Sequence, residues 1–534
     1  MASHRRSPGD RGASVEAIEA LSGFINTDTL LDLASRFSAT YTDLALRSTE
    51  HFLVTPVTAL PTGKEKGKFL SIDVGGTNLR VGLIELVGDL DDHLNGRREE
   101  DDRDNVFAKV KRSHDRNWSI EEHLKMDNAE DLFAWIGDCI AEVLIEAIEA
   151  NRAASALEAL FGDEILLGVT FSFPMAQTSL SEATLLPMGK GFAITSDLNL
   201  GKMLLAGYAR HCAETHTNGH LESDHASKKR SPLPRIKVAA ITNDTVATFA
   251  SLAYAVKAAP NSRVAMGLIV GTGTNATVPM KLDSLLPAKR KDLPDPDAVD
   301  MVVVNTEWTI RGTDKPLVEL GIKTLWDLAL DASSDAPGFQ PFEYMTAGRY
   351  LGEIVRLVYL DVAPEADIPP RLRDRNALPT RFLSEVVARL ELEDVAKRLE
   401  KEYPASSSAF WTLERVELLR IIAYSVQQRS SALIAAACIG LLDCVGDIHI
   451  DGAQEATNGS ALAGTSNTEE LVIAYAGGTI SQYPQWLQTC QYWIDILVKK
   501  GSRANADKRV VLREALDGGI IGAGVLAGMA NEIV

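Results

Sequence analysis

The chain has 534 residues, 46% hydrophobic and 24% charged, a composition that excludes a single small core and predicts two or three globular domains. Its formal net charge of −19 disfavours non-specific binding to nucleic acid or to anionic membranes. Five scattered cysteines, with no Cys-x-x-Cys pair, predict buried thiols in a reducing compartment. The basic N-terminus has no apolar segment behind it, so we expect no secretory signal and a cytoplasmic protein.

Residues 1–13 are polar and predict a disordered tail, and helical spacing follows from Val15 to Leu46. Strands are then expected at Lys68–Val74, Asn78–Leu86, Glu164–Phe173, Ile236–Thr242, Val264–Val270, Met301–Val304, Leu471–Tyr475 and Arg509–Leu512. Helices are expected over 132–147, after Asp244, over Leu418–Leu442 and after Gly519. The alternation predicts an α/β fold, in which ligands bind where strands lead into helices.

Four polar or charged stretches interrupt this alternation and are interpreted as surface insertions that protein partners could contact: 88–105, 211–234, 285–297 and 452–468. Basic triplets at 228–230 and 289–291 could direct a nuclear pool, but solvated loop charge is the favoured interpretation. The second stretch also contains a candidate metal-binding group, although nothing in the sequence sets its geometry, so a polar loop is favoured. Its members are His211, Cys212, His216, His220 and His225.

Two glycine-rich turns each follow an apolar strand. The first contains Gly75-Gly76-Thr77-Asn78, and the second contains Gly271-Thr272-Gly273. Glycine permits φ > 0, so such turns can direct successive backbone N–H groups at a phosphate. Neither turn matches a P-loop or a dinucleotide-binding motif, and a plain hairpin is the alternative for either turn alone. Two such turns with Asn243-Asp244-Thr245 between them predict phosphoryl transfer.

Asp244 follows a buried strand and is placed to act as a general base. Transfer of a phosphoryl group to a hydroxyl requires a carboxylate that accepts the hydroxyl proton. The alternative is that Asp244 caps the helix that follows it, because Asp is a favoured N-cap residue.

The chain is similar to eukaryotic hexokinases, and its resemblance extends to the atypical, regulatory hexokinase-like proteins of filamentous fungi. The matching segments are Pro61–Gly67, Asp73–Val81, Phe171–Pro174, Lys190–Phe192, Asn243–Thr245, Gly267–Ala276, Asn305–Trp308 and Gly348–Glu353. They occur in the family's order, from about Ser14 to the C-terminus. The resemblance implies an actin-like ATPase (ribonuclease H-like) fold with two lobes and a sugar and ATP cleft between them.

The resemblance also implies how the chain divides. Residues 67–243, completed by a C-terminal helix at 517–534, would form the small lobe, and residues 244–516 would form the large lobe. The segment 14–66 would pack on the large lobe. The implied substrates are a hexose, glucose above others, and ATP with Mg²⁺ bound mainly through the nucleotide.

Carried over by position, the catalytic residues are Asp244, Lys190 and Arg80. The residues that resemble sugar ligands are Ser172, Lys190, Asn243, Asp244, Asn275, Glu307 and Glu343. Those that resemble the nucleotide-binding region are Asp73, Gly75, Gly76, Thr77, Asn78, Arg80, Gly271, Thr272, Gly273, Gly477, Gly478, Asp517, Gly518 and Gly519. No residue is assigned as a direct metal ligand.

Three segments depart from the family pattern: Met188-Gly189 before Lys190, Thr309-Ile310-Arg311 after Trp308, and Ala476-Gly477-Gly478. The first removes a hydroxyl that contacts the sugar, and the second places a bulky cation near Glu307. The leading prediction is a hexose 6-phosphotransferase that acts at the entry to glycolysis. The alternative is a regulatory protein that binds sugar or nucleotide with little turnover. An actin-type or chaperone-type ATPase would leave Phe171–Pro174 and Asn305–Trp308 without a role.

Overall fold

The structure is a computed structural model. It describes residues 11–88, 109–125, 129–150, 164–173, 175–186, 192, 198–212, 233–256, 261–293, 295–363, 368–405, 410–451 and 468–532.

The strands, in chain order, are β1 (Leu53–Val54), β2 (Gly67–Val74), β3 (Asn78–Leu86), β4 (Val110–Ser119), β5 (Glu164–Phe171), β6 (Met175–Ser179), β7 (Glu182–Leu185), β8 (Arg235–Thr242), β9 (Ser262–Val270), β10 (Thr274–Lys281), β11 (Met301–Asn305), β12 (Glu469–Ala476) and β13 (Lys508–Glu514). The helices are α1 (Arg11–Ser22), α2 (Thr27–Arg47), α3 (Ala129–Ala150), α4 (Leu200–Ala209), α5 (Asp244–Val256), α6 (Lys315–Glu319), α7 (Leu325–Ala332), α8 (Pro341–Thr346), α9 (Gly348–Val362), α10 (Thr380–Phe382), α11 (Leu392–Glu402), α12 (Leu413–Cys444), α13 (Gly478–Gln482), α14 (Trp486–Gly501) and α15 (Gly518–Glu532).

The chain folds into two compact units. Unit 1 contains Met1–Leu53, Asn261–Lys289 and Val304–Glu514, and unit 2 contains Val54–Pro260, Arg290–Val303 and Ala515–Val534. These bounds differ from the lobe boundaries expected from the sequence, because α5 and the segment before β2 belong to unit 2. Helix α5 belongs to unit 2 because it packs against α15 of that unit.

Unit 2 contains a five-stranded sheet in the order β4-β3-β2-β5-β8. Strands β2, β5 and β8 run parallel, whereas β3 pairs antiparallel with both β2 and β4. Helix α3 packs against β3, β4 and α4, and α15 packs against β2, β3, β5 and β8. The strands that α15 covers are buried along most of their length, because apolar side chains project from both of their faces.

Unit 1 is built around α12, which packs against α2, α9 and α14. A six-stranded sheet has the order β1-β11-β10-β9-β12-β13, with β9, β12 and β13 parallel and β9 and β10 antiparallel. Arg429 of α12 is fully buried and makes two 2.8 Å hydrogen bonds to Asp327, at the start of α7. This paired charge ties α7 to the core of the unit.

Each expected strand is present, with ends within two residues of those predicted. The N-terminal helical spacing is divided between α1 and α2, where Asn26 caps α2 by accepting a hydrogen bond from Thr29 N. Residues 11–13, expected in the tail, belong to α1, and residues 1–10 lie outside the described residues. All five cysteines are free thiols. Among the described residues, no helix has the length and apolar character needed to cross a bilayer.

The interpretation of 285–297 as a solvated surface insertion is wrong at three positions, because Leu285, Lys289 and Leu293 are buried. Lys289 is only 5% exposed, and its ammonium donates to the backbone oxygen of His51 at 2.7 Å. The other three insertions lie mostly outside the described residues. In the second, His211 pairs with Asp138 at 2.8 Å, whereas the remaining histidines of the candidate metal group lie outside the described residues.

Candidate active site

The first glycine turn joins β2 to β3 in an antiparallel pair whose register places Asp73 opposite Arg80. The turn is closed by a hydrogen bond from Gly75 N to Asn78 O at 2.9 Å. The glycines with positive φ include neither Gly75 nor Gly76, so the expectation that positive φ shapes this turn is wrong. Thr77 and Asn78 are exposed at its tip, where their polar groups can reach a ligand.

Asp73 lies beside the first turn of α15. A β-carbon added at Gly519 would collide with the Asp73 carboxylate. Thr170 Oγ1 donates to Gly519 O at 2.8 Å, which holds the start of α15 against β5. Glycine is therefore required at 519 for helix and carboxylate to approach this closely.

Arg80 is shared between two carboxylates. Its Nη1 lies 3.8 Å from Asp73 Oδ2 and 3.6 Å from Asp517 Oδ1. Asp517 also pairs with Arg112 of β4, which in turn pairs with Asp115 at 2.9 Å. This row of alternating charges joins β3 and β4 to the residue that precedes α15.

Burial raises the pKa of Asp73 to about 6, a rise that Arg80 opposes and that Asp244 and Asp517 reinforce. Asp244 and Asp517 thus act on Asp73, which Arg80 pairs with only loosely, while Asp517 is shared between Arg80 and Arg112. An excess of partly buried negative charge favours binding of a cation. Among the described residues, however, no group of three or more His, Cys, Asp or Glu side chains is placed to hold a metal ion.

Asn243, and not Asp244, caps α5. The Asn243 Oδ1 accepts hydrogen bonds from Val246 N at 2.8 Å and from Thr245 Oγ1 at 3.0 Å. Asp244 is the first residue of the helix and is half-buried. The capping alternative for Asp244 is therefore wrong, and its carboxylate stands at the positive end of a helix, where an ionised carboxylate is stabilised.

Ser172 follows β5, and its backbone N–H donates to Val74 O at 3.0 Å. The flanking Phe171 and Phe173 rings pack together, and Phe173 also packs edge-on against Phe192 with centroids 4.8 Å apart. Lys190, Met188 and Gly189 lie outside the described residues.

The second glycine turn, in unit 1, is bound on both sides by other segments. Gly271 O accepts hydrogen bonds from Gly348 N at 2.8 Å and from Thr479 Oγ1 at 2.9 Å. Thr272 itself is exposed. As in the first turn, Gly271 and Gly273 are absent from the glycines with positive φ, so that expectation fails here too.

Gly477 has φ of 121°, and a β-carbon there would collide with Val270 O. Its Cα lies 3.4 Å from the β-carbon that would be added at Gly271. The segment 477–478, at the start of α13, therefore adjoins the second glycine turn, so residues 271–273, 477 and 478 form one backbone surface within unit 1.

The Glu343 side chain is hydrogen-bonded to the backbone at the end of the same turn. Its Oε2 accepts a hydrogen bond from Thr274 N at 3.1 Å, and a β-carbon at Gly273 would lie 2.8 Å from that oxygen. A short helix, α8, carries Glu343, and the backbone N–H of Ala347 donates to Glu343 O at 2.9 Å.

A row of polar side chains runs from Asn275 to Glu307. Asn275 Nδ2 donates to Asn305 Oδ1 at 2.7 Å, and Asn305 Nδ2 donates to Glu307 Oε1 at 2.8 Å. Glu307 has φ of 48°, an uncommon backbone conformation for a non-glycine residue. Asn305 was not singled out as a ligand in the sequence, although its place two residues before Glu307 is a usable signal. This row offers donors and acceptors together, as vicinal hydroxyls require.

Arg311, the cation that the sequence places near Glu307, has a carboxylate partner of its own. Its guanidinium pairs with Glu50, with Nη2 to Oε1 and Oε2 distances of 2.7 and 3.0 Å. Arg112 is a second residue that the sequence did not indicate, because β4 is a polar edge strand without an apolar pattern.

Family models described as hexokinase match residues 19–254 and 265–529. Hexokinase-2 of Solanum tuberosum is 30% identical over 484 residues, which cover 89% of this chain and 82% of the relative. A hexokinase of Schistosoma mansoni solved in complex with glucose has a TM-score of 0.69 at 24% identity, covering 98% of this chain and 100% of that one. A second hexokinase structure has a TM-score of 0.65 at 23% identity, covering 97% and 100%. Both likenesses show the same actin-like ATPase fold.

Proposed function

This chain belongs to the hexokinase family, and on that premise we propose that it transfers the γ-phosphoryl group of ATP to the 6-hydroxyl of a hexose, with glucose as the favoured acceptor. It is a sugar phosphotransferase, and its fold is of the α/β class.

Asp244 is proposed as the general base. The capping of α5 by Asn243 carries this assignment, because it leaves the Asp244 carboxylate out of the hydrogen bonds that hold the helix end. The carboxylate would accept the proton of the attacking hydroxyl as the oxygen bonds to phosphorus. Asn243 Nδ2 would donate to the same sugar, since the Asn243 Oδ1 is used in the cap.

ATP and Mg²⁺ are proposed at the cluster of Asp73, Arg80 and Asp517. The raised pKa of Asp73 and the neighbouring carboxylates of Asp244 and Asp517 fit a site completed by a cation that arrives with the nucleotide. Mg²⁺ bound with the nucleotide would neutralise charge on the phosphates. Arg80 would pair with a phosphate oxygen, and the exposed tip of the first glycine turn, Thr77 and Asn78, would donate to the phosphates.

The sugar ligands proposed in unit 1 are Asn275, Asn305, Glu307 and Glu343. Their existing hydrogen bonds hold each side chain in place, which lowers the entropy cost of ordering them around a ligand. Ser172 and Lys190 are proposed as further ligands from unit 2 on the resemblance alone. The backbone surface of 271–273 and 477–478 is proposed to contact the adenosine end of the nucleotide.

A hexokinase-like regulatory protein, similar to those of filamentous fungi, is the second candidate. The pairing of Arg311 with Glu50 supports it, because this bond fastens the loop after Glu307 where the family has small residues. A fastened loop would resist rearrangement around a sugar and lower turnover. Protein partners at the four insertions would then transmit the signal.

A coupled ADP-release assay with glucose, fructose and mannose, beside glucose calorimetry, tests these candidates. Hexose-dependent ADP release supports the phosphotransferase, and the Asp244→Asn variant purified in parallel controls for a contaminating kinase. Glucose binding without ADP release supports the regulatory protein. A chain that binds neither hexose nor ATP in calorimetry and releases no ADP contradicts both.

A further inference from the structure

Lys289 is buried in unit 1, and its hydrogen-bond acceptors among the described residues are backbone carbonyls. Its Nζ donates to His51 O at 2.7 Å and approaches Ala45 O at 3.4 Å. Ala45 lies in the last turn of α2, where a cation is favoured by the exposed carbonyls. Burial lowers the pKa of Lys289 to about 8, so the charge is held at a cost that its neighbours do not offset.

Residues 48–52 join α2 to β1 and are called the connector. The nearer carbonyl that Lys289 binds belongs to His51 of the connector, and the other belongs to Ala45, three residues before its start. Within the connector, Ser48 Oγ and His51 Nδ1 are hydrogen-bonded at 2.8 Å. Phe52 has φ of 50°, a strained conformation for a bulky aromatic residue. Such conformations persist only where surrounding contacts hold them, and Lys289 binds the carbonyl directly before Phe52.

The connector in turn holds the loop that carries Glu307 at two points. Phe52 N donates to Thr306 O at 3.1 Å on one side of Glu307, and Glu50 pairs with Arg311 at 2.7 Å on the other. Thr306 Oγ1 also reaches the Asn275 Oδ1 at 3.4 Å. A displacement of the connector would therefore move Glu307 and Asn275 together.

Aromatic packing transmits the same constraint. Tyr41 of α2 packs against Phe52 and stacks on Trp308, with centroids 6.0 and 6.4 Å apart. Trp308 packs edge-on against Phe342, the residue before Glu343. The connector, α2 and the residues adjoining both glutamates thus form one packed group, and close-packed groups transmit small shifts.

We propose that Lys289 is a positioning residue for hexose binding, which holds the connector so that Glu307 and Asn275 keep the geometry a sugar requires. This inference rests on the proposed assignment of those two side chains as hexose ligands. Lys289 contacts the connector and none of the proposed hexose or nucleotide ligands that the structure describes, and the connector holds the Glu307 loop directly, so we expect the main effect of Lys289 to fall on hexose affinity.

The test compares Lys289→Met with the wild type and with Lys291→Met, an exposed lysine of the same segment. Hexose Kd is measured by calorimetry, and KM for hexose, KM for ATP and kcat are measured by ADP release. We expect Lys289→Met to raise hexose Kd and KM about two- to tenfold, the effect of about one hydrogen bond. KM for ATP and kcat should stay within twofold, and Lys291→Met should match the wild type.

Lys289→Arg keeps a cationic donor and should lie between the wild type and Lys289→Met. If Lys289→Met is insoluble, Lys289→Arg is measured in its place. Any other pattern overturns the inference, whether hexose affinity is unchanged or hexose KM, ATP KM and kcat deteriorate together. A wild type without hexose binding or turnover overturns the proposed function as well, so the two failures are distinguishable.

Discussion

Asn243 Oδ1 accepts the backbone N–H of Val246 at 2.8 Å, and this single bond separates the structural task at the start of α5 from the chemical one. Had Asp244 been the cap, its removal would disturb the helix and the reaction together. Because Asn243 forms the cap and Asp244 does not, a substitution at Asp244 can change the reaction without disturbing the start of α5.

We therefore expect Asp244→Asn to lower hexose-dependent turnover about 10²- to 10⁴-fold, the usual effect of removing a general base. The free energy of unfolding should change by less than about 1 kcal/mol, because the cap remains. Activity would be followed by ADP release and stability by urea denaturation. Retention of more than a tenth of wild-type kcat would show that another group takes the proton.

The raised pKa of Asp73 predicts a pH-dependent stability. Its pKa of about 6 in the folded protein exceeds the ordinary value of 3.8, so the folded state binds the proton more tightly. The contribution of Asp73 to stability therefore declines as pH rises from about 4 to about 6 and then stays low, a loss on the order of 3 kcal/mol. Asp73→Asn should be more stable relative to the wild type at pH 7.5 than at pH 4.5.

Urea denaturation of both proteins across this pH range measures the difference. A constant difference between them would contradict the raised pKa. Mg²⁺ with nucleotide should reduce the difference at pH 7.5 by stabilising the wild type more than the variant, because ligand binding adds to the stability of the state that binds it.

The lowered pKa of Lys289 predicts that its contribution to stability rises with pH, whereas that of Asp73 falls. Burial lowers the pKa of Lys289 from 10.5 to about 8, so the unfolded state binds the proton more tightly between these values. Wild-type stability should gain on the order of 3 kcal/mol from this group as pH rises from about 8 to 10.5. Lys289→Met, which carries no charge, should be at least as stable as the wild type at pH 7 and lose that advantage at high pH.

Denaturant unfolding of the two proteins at pH 7, 8, 9 and 10 measures this slope. Lys291→Met is the matched control and should show no pH-dependent difference from the wild type, since its side chain is exposed. A Lys289→Met variant that is less stable than the wild type at pH 7, with a difference independent of pH, would contradict the prediction.

Gly519→Ala should impair the nucleotide side of the site. The added β-carbon would collide with the Asp73 carboxylate and must displace it from Arg80. We expect KM for ATP to rise about tenfold or more, since small displacements of reacting groups can cost up to about 10²-fold. Hexose Kd should be unchanged.

Gly201→Ala is the control for that variant. Gly201, like Gly519, is the second residue of its helix, but a β-carbon there meets its nearest neighbour at 3.5 Å. It should bind ATP normally and gain up to about 1 kcal/mol of stability from the better helix former. Equal ATP KM values for the two variants would show that the approach of Gly519 to Asp73 has no part in nucleotide binding.

Much of the fold could be predicted locally. Apolar runs such as Ser262–Val270 indicate buried strands, because a strand covered on both faces needs hydrophobic residues throughout. The polar strand β4 could not be recognised in this way, since most of its residues are exposed and no alternation marks it. Arg112, which pairs with Asp517, was missed for the same reason.

The sequence by itself determined the family, the α/β class and the motifs that contain Asp73, Asp244 and Glu307, because these depend on residue type and order along the chain. Tertiary structure alone decided which of Asn243 and Asp244 caps α5, since both residue types can cap and only the backbone geometry selects one. It also decided that Lys289, in a segment of prolines and charges, is buried beneath the connector. The burial of a charged side chain such as Lys289 depends on contacts between residues distant in sequence, and no local pattern encodes it.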